Sequence, residues 1–117
     1  KEGLGDTMPI RWFVFQDESR AVYRLEGDFN GMEEGNELLN SVDDLVVKGI
    51  KLFQLDFTHA RYLSSYGIAI LIRLKKKLVG KGADLRLLRV NKDIMRVLTV
   101  TRTDEFLINP DDEEATQ

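Results

Sequence analysis

The chain of 117 residues carries 17 Lys and Arg against 20 Asp and Glu, a net charge of −3, with 43% hydrophobic residues, one histidine and no cysteine. That length suits a single domain, and the lack of cysteine excludes disulfides, thiolate zinc sites, thiol nucleophiles and thiol redox chemistry. Apolar runs no longer than 68–72 fall short of the roughly 20 residues of a bilayer span, and a sequence pI near 5.2 does not suit a strongly basic nucleic-acid-binding domain.

Residues 1–9 read as an N-terminal extension, 10–109 as one domain, and 110–117 as an acidic, disordered tail containing Asp111, Asp112, Glu113 and Glu114. No signal-peptide core opens the chain, so a cytoplasmic location is expected; the missing initiator Met suggests a segment of a longer protein. The basic stretch 73–89 has no aromatic residue for base stacking and reads as a solvated helix face with a strand rim.

In residues 11–16, Trp12, Val14 and Gln16 alternate with Phe13 and Phe15, the period of a strand. A second β-rich run follows over 21–25, joined by the short polar link Asp17-Glu18-Ser19-Arg20 of a hairpin. Leu38, Leu39, Val42, Leu45 and Val46 then make one helical apolar stripe, which Gly49 ends. A nearly continuous apolar run over 51–57 predicts a strand covered on both faces. Residues 58–63 read as a loop, with His59 exposed in it, and Ser64-Ser65 start a second helix whose inward stripe is Leu71, Leu74 and Leu78. After Gly80-Lys81-Gly82 come a fourth strand over 84–90 and a third helix capped by Asn91, with Ile94, Val97 and Leu98 on one face. Phe106, Leu107 and Ile108 add a short strand or helical turn. The order ββαβαβα, with two βαβ crossovers, predicts an α/β fold: a mixed sheet of four to five strands with three main helices packed on it.

No catalytic set stands out. Gly80-Lys81-Gly82 follows a helix and lacks the spacing of a phosphate loop, so it reads as a helix end. Asp56 has no carboxylate partner in sequence and reads as a structural strand-end residue, while Trp12 and Phe13 read as core or sheet-edge side chains. Ser64-Ser65-Tyr66-Gly67 places hydroxyls at the positive end of a helix dipole, where a serine reads first as a plain cap and second as a site that accommodates a phosphate.

From about residue 22 to 106 the chain resembles the STAS domains of the bacterial anti-sigma factor antagonist family. The resemblance is carried by Leu25-Glu26-Gly27-Asp28-Phe29-Asn30, Phe53-Gln54-Leu55-Asp56-Phe57, Tyr62-Leu63-Ser64-Ser65-Tyr66-Gly67-Ile68, Gly80-Lys81-Gly82-Ala83-Asp84-Leu85-Arg86-Leu87, and Met95-Arg96-Val97-Leu98 leading to Asp104-Glu105-Phe106. It implies a STAS-like fold and a non-enzymatic switch without cofactor or metal. Its partners would be an anti-sigma factor that is also an ATP-dependent serine kinase, and a serine phosphatase, with no nucleic acid and no membrane span. Phosphorylation of the antagonist would break kinase binding.

The family's phosphoacceptor motif reads Asp-Ser-Ser/Thr-Gly, which, aligned on Gly67, puts the acceptor at Ser65 and a partner-binding face at Asn30, Ser64, Ser65, Tyr66 and Gly67. Ser64 stands where the family has Asp, Tyr66 where it has a small hydroxyl residue, and Asn30 where an Asp often closes the second strand. Two negative charges are thereby lost beside Ser65, which eases the accommodation of a phosphate and removes contacts that a kinase could read. The chain is expected to be a monomer or weak dimer. A non-phosphorylated STAS scaffold in a signalling or transport assembly, and a small-ligand or nucleotide sensor, are the competing readings.

Overall fold

The first turn is closed by Asp17, whose carboxylate accepts from the N–H groups of Ser19 at 2.8 Å and Arg20 at 2.9 Å. The structure, a computed structural model, describes residues 8–108; the tail and residues 1–7 lie outside it. Strand β1 (Arg11–Gln16) precedes β2 (Arg20–Phe29), α1 (Met32–Val47), β3 (Leu52–Leu63), α2 (Ser65–Gly80), β4 (Asp84–Leu88), α3 (Lys92–Val100) and the short α4 (Asp104–Leu107). The sheet order is β1-β2-β3-β4. β1 is antiparallel to β2, and β2, β3 and β4 are parallel through the α1 and α2 crossovers.

Alternation decides which side chains meet the helices, because successive strand residues point to opposite faces. Ala21, Tyr23, Leu25, Phe53, Leu55, Phe57, Leu85 and Leu87 point to one face. There they form a single core cluster with Leu38, Leu39, Val42 and Leu45 of α1, Leu71, Leu74 and Leu78 of α2, Ile94 and Leu98 of α3, and Leu107 of α4. Full burial of a leucine such as Leu74 contributes about 2 kcal/mol. The phenol of buried Tyr23 is satisfied by Ser41 Oγ at 2.7 Å.

Two expectations need correction. The apolar run of the third strand is not covered by helices on both faces: Phe53, Leu55 and Phe57 join the core cluster, whereas Leu52, Gln54 and Asp56 turn to the other face beside Val22, Arg24 and Arg86, outside that cluster. The segment 58–63 is strand, not loop. It pairs with β2 through Glu26↔His59, Gly27↔Ala60, Asp28↔Tyr62 and Phe29↔Leu63, across two register shifts. Bulges break the period of two, so the inward residues Phe57, Ala60 and Leu63 are spaced by three and the strand pattern is hidden. His59 is exposed, but on a strand. The closing residues 104–107 are a helical turn.

The basic stretch is only partly a free rim, since Lys75 and Arg86 hold Asp84 at 2.8 and 3.1 Å and Lys77 holds Asp43 at 2.8 Å. Burial raises the proton affinity of Asp84, but Lys75, the Leu85 N–H and Arg86 outweigh it, and the carboxyl titrates below its ordinary 3.8. A folded-state value below the unfolded one stabilises the fold above the unfolded value, and this contribution is lost as pH falls through the folded value. Asp84→Asn is therefore expected to lower the urea midpoint at neutral pH and to match the wild-type midpoint in strong acid.

Candidate partner-binding site at the start of α2

The site is built where two adjacent parallel strands end. The carbonyl of Phe29, the last residue of β2, accepts from the Ser64 N–H at 3.1 Å and from Ser64 Oγ at 3.2 Å. Ser64 Oγ in turn accepts from the Gly67 N–H at 3.3 Å, capping α2. These bonds tie the Asn30 loop to the Ser64–Gly67 turn, so Asn30, Ser64, Ser65, Tyr66 and Gly67 lie together where the two central strands end.

The two serines are not equivalent. Ser64 is half-buried with its hydroxyl engaged on both sides; Ser65 is exposed, and its hydroxyl makes no hydrogen bond among the described residues. The first turn of α2 contains no acidic residue, leaving its positive end uncompensated by its own side chains. Ser64→Ala is expected to cost about 1 kcal/mol through loss of the cap, read as a lower melting temperature, while leaving the Ser65 hydroxyl available.

Gly67 is buried because of close approach rather than an unusual backbone angle: a Cβ there would collide with the Phe29 carbonyl and lie 2.6 Å from Leu63 Cδ1. Asn30 is exposed immediately beyond that carbonyl, and α1 follows with Gly31 as an N-cap lacking a side-chain bond and with Glu33 and Glu34 in its first turn.

Three exposed large side chains lie close in sequence to these turns: Met32 at 58%, Tyr62 at 51% and Tyr66 at 56%. The exposure of Met32 and Tyr62 carried no signal in the sequence, because exposure of an apolar residue at an element end is not encoded in its periodicity. The burial of Asp28 was equally silent. This residue lies near the end of β2, where it accepts from the Met8 N–H at 3.0 Å and meets Arg61 at 3.5 Å.

The other residues considered for chemistry lie elsewhere. Asp56 accepts from the N–H and hydroxyl of Thr58 at 2.9 and 2.6 Å and pairs with Arg89 at 3.3 Å. Trp12 packs partly against the core from the edge strand. Among the described residues, no group of three or more His, Asp or Glu could hold a metal ion, and no helix is long and apolar enough to cross a membrane.

A four-stranded mixed sheet with its helices on one face and two helix starts side by side at one end defines a small α/β domain. The sequence profile of the STAS domain matches residues 14–115, and the chain belongs to the STAS domain family. No curated protein sequence matches. Among solved structures, an anti-sigma factor antagonist from Mycobacterium paratuberculosis superposes with a TM-score of 0.71 at 20% identity, over 91% of this chain and 90% of that one. The antagonist SpoIIAA in its unphosphorylated form gives 0.72 at 13% identity, over 90% and 92%. The Bacillus SpoIIAA in its phosphorylated form gives 0.66 at 14% identity, over 90% and 96%. The fold is thus that of the anti-sigma factor antagonists.

Proposed function

We propose that this chain is an antagonist-type binding module that engages an anti-sigma factor with serine-kinase activity and is released when Ser65 is phosphorylated. The observation that carries the reading is the division of labour between the two serines: Ser64 is committed to the cap, and Ser65 stands exposed at the start of α2. A phosphate on Ser65 would add about −1.5 to −2 charge where free N–H groups and the helix dipole favour an anion. The same charge, entering a contact surface edged by Met32, Tyr62 and Tyr66, would oppose docking of a partner that had desolvated it. Asn30 and Ser64 take part as neutral contacts in place of carboxylates, and Tyr66 as an added aromatic one. A serine phosphatase would reset the module, and the process served would be transcriptional partner switching in the cytoplasm.

The test is a complex isolated from the native host on the wild-type chain and on Ser65→Ala. Addition of ATP is expected to release the kinase-type partner from the wild-type chain and to leave the Ser65→Ala complex bound. Equal retention of both with ATP would instead support a constitutive scaffold.

A further inference from the structure

We propose that a second copy of this chain docks on the free edge of β1, extending the sheet across a two-fold axis that passes beside Val14. Among the described residues β1 pairs with β2 alone, so its outer row of backbone N–H and C=O groups is left without a strand partner. Exposed edges are commonly blunted by proline, by charged side chains, lysine above all, or by a bulge. The six residues Arg-Trp-Phe-Val-Phe-Gln contain no proline or lysine and a single charge, Arg11 at the start of the strand, and they pair with β2 in unbroken register. Phe13 is 46% and Phe15 54% exposed, on the sheet face away from the helices. Each ring has an arginine guanidinium over it, Arg11 at 5.8 Å from Phe13 and Arg24 at 5.3 Å from Phe15.

The choice of a second copy as occupant follows from self-complementarity. A two-fold axis perpendicular to the sheet keeps each residue on its own face, and opposed residues of antiparallel strands share a face, so paired residue numbers must add to an even sum. Centring on Val14 sets Phe13 against Phe15 of the second copy twice over, Trp12 against Gln16, and Arg11 against Asp17, giving two aromatic and two opposite-charge cross-strand pairs. Centring on Phe13 would place Arg11 against Phe15 and bring Pro9, which has no N–H, against Asp17; centring on Phe15 would place Phe13 against Asp17. Only the Val14 register matches both aromatic rings and charges. One added strand pair falls below the roughly 1,200 Å² of a standard stable interface, so the dimer is reversible and concentration-dependent.

The cysteine-free chain permits a direct test. Opposed antiparallel Cα atoms lie about 4.5–5.5 Å apart, within disulfide reach, so Val14→Cys should link to itself under mild oxidation. Two Gln16 residues would be separated by four strand positions, about 13 Å, so Gln16→Cys should link at least about tenfold more slowly. In sedimentation, the wild-type mass should rise from 13.4 kDa toward twice that value with concentration. Val14→Lys, which opposes two ammonium groups on the axis, should stay at the lower mass with an unchanged circular dichroism spectrum. A wild-type chain that remains monomeric throughout, Gln16→Cys linking as fast as Val14→Cys, or a Val14→Lys chain that dimerises like wild type would each overturn the proposal.

Discussion

Gly67→Val is expected to cost about 3 kcal/mol or more and to lower the melting temperature by more than about 10 °C. The reason is local and geometric: any Cβ at this position enters the space of the Phe29 carbonyl, and Leu63 Cδ1 lies 2.6 Å away. A flexible side-chain tip could yield, but this oxygen ends β2 and accepts two bonds from Ser64, so displacing it breaks the cap and loosens the β2–α2 contact together. Gly67→Ala should show a smaller loss of the same kind. Gly80, near the end of α2, has open space around its Cβ position, and Gly80→Ala should be neutral or slightly stabilising. Thermal unfolding by circular dichroism separates the two positions; a Gly67→Val chain melting with wild type would show that the approach of α2 to β2 is looser than described.

The second large effect is on binding. Ser65→Glu is expected to weaken the complex with the kinase-type partner by at least about tenfold, equivalent to about 1.4 kcal/mol, whereas Ser65→Ala should stay within about twofold to threefold of wild type. The asymmetry arises because removing an exposed hydroxyl that has no hydrogen-bond partner among the described residues costs little, while a carboxylate at a desolvated contact must be stripped of water or repelled. A phosphate carries more charge than glutamate, so phosphorylated protein should bind more weakly still. Equal affinities by calorimetric titration would remove Ser65 from the interface.

What could be read from the sequence was what leaves a period or a cap. The α1 stripe of Leu38, Leu39, Val42 and Leu45, the α2 stripe of Leu71, Leu74 and Leu78, and the caps Ser64 and Asn91 are all present as expected, Asn91 accepting from the Ile94 N–H at 2.9 Å. The second half of β3 was not legible, because register shifts moved the inward residues off the period of two. Nor was the exposure of Phe13 and Phe15: alternation assigns them to one face, but only the placement of the helices reveals which face is bare. In the site, Ser65 was singled out by resemblance to a family motif, whereas the burial of Asp28 beside Met8 and Arg61 depends on a contact 20 residues away in the chain and another with the neighbouring strand β3.

A switch at Ser65 leaves its mark in the intact mass of the protein purified from its native host, read together with peptide mapping across 61–73. A fraction heavier by about 80 Da, one phosphate, is expected, with the modification on Ser65. A phosphate on Ser64 or Tyr66 instead, or an unmodified mass in every growth condition, would contradict a switch at Ser65.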